Sequence, residues 1–451
     1  FVPVFNVDGH ERFGPQQRPN QRGPQESGYR RTAQELNLNR DWTKAEAPEM
    51  AAMLALVKEW DPALMVDLHV TDGAKFEQDV AVLISPDTPT PRALTAAGRA
   101  LGATVFARLR AQGHLPLDFY PAFRSEDDPA SGIDASPPPP RFSNAYFAAR
   151  NRLGMLVETH SWRPYQHRVK TTRVILQALV EAAVTQAASW REAGQATDAE
   201  GERLGGTDVA LMYKATDVAR TVDFRGYAYK REPSAISGTT WVEYDERRPQ
   251  VWKVSVYDQL TPALLVRAPR AGYVVPAAHA AWVARKLDLH GIQYRALPKA
   301  ARLPALAFRA DEAKFAATPF EGRQPLKLAG KWRAETRDVP AGSLFVPIAQ
   351  PRARLAMHLL EPTAPDSLAA WGFFQTAFEE KEGMETYVVE AEARKMLARD
   401  GKLRAQFEGL LRDPAFAKDP AKRLDFFRRR HPSWNEGFNL YPVLGLDRAP
   451  D

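Results

Sequence analysis

The sequence predicts an α/β protein. Residues 1–200 read as a mixed, mostly parallel sheet with helices on both faces, and an α+β accessory region follows. Three observations carry this. Short apolar runs of strand length (LMVDLHV at 64–70, VAVLIS at 80–85, GMLVET at 154–159) alternate with long helical patterns, as in sheets whose strands are joined by helices. The small, polar, Gly-bearing stretch GQATDAEGERLGGT at 194–207 breaks that alternation and marks a boundary. Beyond it, residues 208–350 read as a β-rich accessory domain and 351–451 as a mainly helical region.

Taken in order, Phe1–Val7 is apolar and β-branched, stopped by Asp8-Gly9, and reads as a buried strand. Residues 10–35 are polar loop. Ala45–Trp60 is helical, with Pro48 tolerated in its first turn. Strands at Leu64–Val70 and Val80–Ser85 precede a long helix, Pro91–Gln112. In the loop 125–141, four consecutive prolines impose an extended segment. A short helix (Asn144–Asn151), a strand (Gly154–Thr159) and an amphipathic helix (Arg168–Ala193) complete the first region. In the second, Ala277–His290 is a helix. Residues 366–430 read as largely helical from an N-cap at Asp366-Ser367, with Trp371, Phe373, Phe374 and Phe378 as core.

Composition narrows the chemistry. Lys and Arg number 61 against 55 Asp and Glu, a mild surplus of +6 over 451 residues. A nucleic-acid surface needs clustered basic residues, and the one basic run, Arg428 to His431, reads as a solvated helix end. The chain has no cysteine. Any metal must therefore be held by His, Asp or Glu. No stretch approaches the ~18 uninterrupted apolar residues of a membrane span.

Three clusters in the first 160 residues can do chemistry. Asn39 and Arg40, in LNLNRDW just before a helix, suit a carboxylate: a guanidinium gives a two-pronged charged bond and an amide a third donor. A loop cap beside a surface arginine would look the same. His69 ends an apolar strand, where it is either a metal ligand or a core histidine bonded to Asp67 or Asp72. Glu158 lies inside the apolar strand GMLVET, either as a structural pair or as a catalytic base.

The order and spacing of these clusters resemble the zinc carboxypeptidases, the carboxypeptidase A-like metallopeptidases. PVFNVDGHER is similar to that family's strand and Asn-Pro-Asp-Gly turn, with Val7 where Pro is usual. NLNRDW resembles its Asp-x-Asn-Arg-Asn motif, DLHVTDG the segment bearing its last zinc-ligand His, and LVETHSW the segment bearing its catalytic Glu. The resemblance spans residues 1 to about 195.

The resemblance implies a zinc-dependent hydrolysis of a peptide bond next to a free C-terminal carboxylate. His69 would ligate zinc. Glu158 would activate water and protonate the leaving amine. Asn39 and Arg40 would hold the terminal carboxylate of a peptide or peptide-like substrate. An upstream arginine would polarise the scissile carbonyl: Arg22, 17 residues before Asn39, is the best spaced, and Arg18 is second. Tyr146 would close over the substrate. Export to a bacterial periplasm or medium is the family's expectation.

The sequence departs from the family at two further points. The His-x-x-Glu pair that supplies the other two zinc ligands would precede Phe1, so the chain reads as a fragment lacking two ligands, the first strands of the sheet and a helix. The pair His358…Glu361 lies in the second region and reads as a coincidence. Asn37 stands where an Asp usually orients a zinc-bound His. His160 and His167 read as rim residues of the site, and His10, His114, His279, His290 and His431 as surface or capping residues. A cell-wall peptide amidase or deacylase on the same fold shares the motifs. A metal-free, carboxylate-binding relative would need neither His69 nor Glu158.

Overall fold

A computed structural model describes residues 1–126 and 128–450. The first part runs α1 (Val7–Glu11), α2 (Pro48–Trp60), β1 (Leu64–Val70), β2 (Val80–Ser85), α3 (Arg92–Ala111), β3 (Pro116–Leu117), β4 (Ile133–Asp134), α4 (Ser143–Ala149), β5 (Leu153–Thr159) and α5 (Tyr165–Gly201). The fold is mixed α and β, with mixed sheets. In the first sheet the order is β1-β5-β2-β3. β1/β5 and β2/β3 are parallel, and β5/β2 is antiparallel.

Alternation along β5 assigns its two faces. Leu153, Met155 and Val157 enter a core with Leu101 and Val105 of α3 and Ile175 and Ala178 of α5. Leu156 and Glu158 face the other way, into a cleft beside Phe142 and Asn144. On that side α4 lies so close that a Cβ on Gly154 would meet the Asn144 carbonyl oxygen at 2.4 Å. Glycine is the residue that admits this approach.

Residues 1–5 form no strand. Phe1, Val2 and Val4 are exposed, and Val7 opens α1, where Asn6 Oδ1 accepts from Gly9 N at 2.9 Å. An apolar β-branched run becomes a strand where a neighbour pairs with its backbone, and no strand among the described residues does so here. The stretch read as a boundary at 194–207 is helix as far as Gly201. Gly194 and Gly201 are there for close packing: a Cβ would sit 3.2 Å from Arg152 Nη1 and 2.9 Å from Pro351 O.

The rest of the chain adds β6 (Asp208–Ala215), β7 (Arg220–Pro233), β8 (Thr240–Tyr257), β9 (Leu260–Arg267), β10 (Gly272–Val275), α6 (Ala277–His290), β11 (Arg295–Ala296), β12 (Ala301–Phe315), β13 (Leu326–Val339), β14 (Leu344–Pro347), α7 (Ala353–Leu360), helices within 386–428, and β15 (Leu440–Leu446). β15 inserts between β10 and β12 in the antiparallel sheet β11-β14-β10-β15-β12-β13. A division at residue 350 therefore cuts through one sheet. Helix does not begin at Asp366, which takes φ of 64° and accepts from Arg141 N and Arg141 Nη1, each at 2.9 Å. Trp371, Phe374 and Phe378 are buried, and Phe373 stacks on Trp282 at 5.4 Å. They are core without an α-helix.

The long hairpin β7–β8 reaches back to the first sheet's loops. β8 pairs in parallel with β4, and Gly226 bridges Phe76. Phe76, Phe123 and Ile133 pack there with Phe224, Trp252 and Val254. A second shared core joins Leu54 of α2 and Phe147 of α4 to Leu287 and Val346. Among the described residues, no helix is long and apolar enough to cross a membrane.

Candidate functional site

At the carboxyl ends of β1 and β5 lies a cleft of about 710 Å³. The parallel register sets His69 directly beside Glu158, so both side chains leave the same face of the sheet. Two residues earlier on that face, Asp67 Oδ2 lies 2.8 Å from His69 Nε2. Burial alone would lower the His69 pKa, but the Asp67 carboxylate outweighs it and the net shift is upward. Burial would raise Asp67, but His69 outweighs it and the net shift is downward. The pair favours imidazolium beside carboxylate.

Glu158 is 6% exposed, and its Oε2 has no hydrogen-bond partner among the described residues. Burial pushes its pKa up to about 7. His69 opposes that rise, Asp67 and Asp72 add to it, and Arg30 opposes it. A carboxyl balanced near neutrality, with a free oxygen in a cleft, is equipped to take and return a proton.

The segment before α2 is anchored by its apolar residues. Leu38 and Trp42 are buried, and Trp42 packs on Tyr146 and Phe147 with centroids 5.3 and 5.8 Å away. The 3₁₀ turn Leu38–Arg40 is capped by Asn37, whose Oδ1 accepts from Asn39 N at 3.1 Å. Between those anchors, Asn39 and Arg40 line the cleft. Arg40 lies over the Phe142 ring at 4.4 Å and donates to the Asn39 carbonyl at 2.8 Å. Asn39 Oδ1 accepts from Ser143 N at 3.2 Å, which leaves its amide N–H groups for a ligand. Asn37 lines the same cleft, and its side-chain oxygen caps the turn.

Arg22 and Tyr146 lie elsewhere. Arg22 does not line the cleft; its Nη2 reaches Glu246 on β8 at 2.6 Å. Arg18 and Arg30 line the cleft instead. Neither guanidinium has a hydrogen bond or an ion pair among the described residues. Burial and then Arg30 lower the Arg18 pKa, while Asp72 and Glu158 oppose that. Spacing pointed to Arg22 because the intervening loop was taken as 17 residues; Arg30 reaches the cleft across nine. Tyr146 is fully buried, 2.8 Å from His290 Nδ1, and belongs to the core. The tyrosine of the cleft is Tyr120, which donates to Asp72 Oδ1 at 2.8 Å. Burial, Glu158 and Asp72 hold its hydroxyl protonated. Tyr120 closely follows β3 and Asp72 closely follows β1, so the rule that sites gather at strand ends was the available signal.

His160 does not form a rim. It is buried, stacked on Phe76 at 3.7 Å, and burial pushes its pKa down to about 3. His290 is a core residue, and His114 is well covered in a cluster with Asp79 and His167. His358 and Glu361 do not line the cleft. Burial lowers His358 to about 4, and Glu361 Oε1 accepts from Tyr273 at 2.5 Å.

A catalytic zinc needs three protein ligands and an open position. His69 is the one imidazole lining the cleft among the described residues, and its neighbours Asp67 and Glu158 do not form a three-ligand group with it. The residues present do not make a complete zinc site. No family model, no curated protein and no solved structure matches the chain.

Proposed function

We propose that this protein is a hydrolase of the zinc-carboxypeptidase type, cleaving an amide bond next to a free carboxylate. The observation that carries this is one cleft holding both a carboxylate clamp, Asn39 and Arg40, and a buried base with a free oxygen, Glu158. The substrate carboxylate sits on the Arg40 guanidinium and the Asn39 amide. Arg30 and Arg18, free of carboxylate partners, face the negative charge that develops on the scissile carbonyl oxygen. Glu158 takes a proton from the attacking water and delivers it to the leaving amine. Zinc is the metal the resemblance calls for, but His69 by itself would not hold it among the described residues; the steps above rest on this chain's own side chains. The same parts suit an amidase or deacylase acting beside a carboxylate.

The test is hydrolysis of an N-acylated dipeptide and of its C-terminal amide, with zinc supplied. The wild type should cleave the free acid and spare the amide. Glu158→Gln should lose about a thousandfold in kcat with little change in KM. Arg40→Ala should raise KM by about a hundredfold, because it removes a charge-assisted pair. The lone imidazole favours a second reading, a metal-free carboxylate binder. Binding of the dipeptide without any hydrolysis would establish that reading and overturn the first.

A further inference from the structure

We infer that Asp79, His114 and His167 form a binding site for a divalent transition-metal ion of the Zn²⁺, Ni²⁺ or Cu²⁺ class, separate from the cleft. The three side chains come from distant parts of the chain: the residue before β2, the turn after α3 and the first turn of α5. Each offers a ligand atom, and these atoms lie within 4.8 Å of one another. His167 Nε2 is 2.8 Å from Asp79 Oδ1, and His114 Nδ1 is 3.4 Å from Asp79 Oδ2. In a tetrahedral site with ligands at about 2.0–2.1 Å, neighbouring donors sit roughly 3.3 Å apart. The two contacts to Asp79 bracket that spacing, and side-chain rotation would bring the three donors onto one ion. The two rings meet edge to face, at 82° with centroids 5.5 Å apart, so they converge on the carboxylate without stacking on each other.

The surroundings favour one class of ion. Leu115 N donates to Asp79 Oδ2 at 2.9 Å, and Arg163 Nε lies 2.9 Å from Asp79 Oδ1. These contacts fix the carboxylate as outer partners do in metal sites. The guanidinium also offsets the carboxylate's charge. That disfavours Ca²⁺ and Mg²⁺, which need several oxygen ligands, and leaves the choice to two imidazoles, which suit zinc, nickel or copper. Asp79 and His114 are well covered, at 4% and 10% exposed, while His167 is 38% exposed. The open side of His167 gives an entry path and a place for a water ligand.

An ion here would add a coordination link among three elements that already share a core. It would also stiffen the site's neighbourhood, because the Asp79 carbonyl accepts from His160 N, two residues past Glu158, at 2.9 Å.

The experiment uses the full chain carrying His69→Ala, stripped of metal and titrated with Co²⁺ and then Zn²⁺. Removing His69 takes the cleft's imidazole out of the reading. One equivalent of Co²⁺ should bind with visible ligand-field absorption, Zn²⁺ should displace it, and the melting temperature should rise with ion concentration. Adding His167→Ala, at a half-exposed position that should leave the fold intact, should abolish the equivalent and the rise; His114→Gln should do the same. The inference is overturned if the His69→Ala chain binds no ion, or if binding survives both further substitutions. Hydrolysis by the wild type is a separate readout, so failure here leaves the proposed activity standing.

Discussion

Tyr120 lines the cleft and Tyr146 lies in the core, so burial separates the roles of their hydroxyls. Tyr120→Phe removes a donor from the cleft wall and should lower kcat/KM. Tyr146→Phe strands His290 Nδ1 in the core; it should cost about 1–3 kcal/mol of stability and leave kcat/KM unchanged. Denaturant midpoints beside kinetics would show the crossover, and equal kinetic losses would refute it. Glu361 tests the cost of a buried carboxyl. Burial raises its pKa from 4.5 to about 7, against the bonds from Tyr273 and Trp332. The folded state therefore holds the proton more tightly than the unfolded chain. Stability from this group is complete below pH 4.5 and is lost as pH rises through about 7. Glu361→Gln should gain on wild type as pH rises from 4.5 to about 7 and then hold a level advantage on the order of 3 kcal/mol. Urea midpoints compared on both sides of that window check it. At this scale His69, Glu158, Asn39 and Arg40 were legible because each is a polar residue at a strand end or turn flanked by apolar anchors. Arg30 and Tyr120 were not, because loop length decides which side chain reaches a cleft and nothing local encodes it.

Among elements, α5 is tied to the rest of the molecule by a cluster of arginines and aspartates. Arg152 Nη2 bonds Asp61 Oδ2 at 2.5 Å and Asp198 Oδ2 at 2.9 Å, and Arg352 joins both acids. This ties the ends of α2 and α5 to the segment before α7. Arg152→Met would leave Asp198 and Asp61 short of a partner and should destabilise the protein by about 3 kcal/mol. Thermal unfolding would measure this; a loss within experimental error would show that Arg352 suffices. The strands and the helix at 277–290 were legible from their periodicity. The last turns of α5 were not, since glycines that serve close packing look like glycines that serve a turn. Phe1–Val7 misled in the opposite sense: its residues suit a strand, but a strand is a property of two segments.

Across the whole molecule, the hairpin β7–β8 packs on loops beside a cleft it does not line. Phe224 is buried, parallel to Trp252 at 5.8 Å and edge-on to Phe76 at 5.2 Å; Phe76 in turn stacks on His160. Phe224→Ala should cost about 3–5 kcal/mol and also lower kcat/KM, because it loosens the stack beside Glu158. Kinetics well below the variant's melting temperature would test this, and unchanged kinetics would show that the hairpin is only structural. Composition divides the chain at 194–207, but α5 runs through that stretch as far as Gly201. The shared cores were not legible, because apolar residues that meet across such a division look like any others.

The pairing of β1 with β5 carries a consequence for folding fidelity. Side chains alternate along β5, so a slip of one residue would turn Glu158 from the cleft toward Leu101 and Ile175 and expose Met155 and Val157. A carboxylate forced among aliphatic chains is strongly unfavourable. The acid that the proposed chemistry uses therefore also penalises a sheet misaligned by an odd number of residues, and Glu158→Leu would remove that safeguard together with the proposed base.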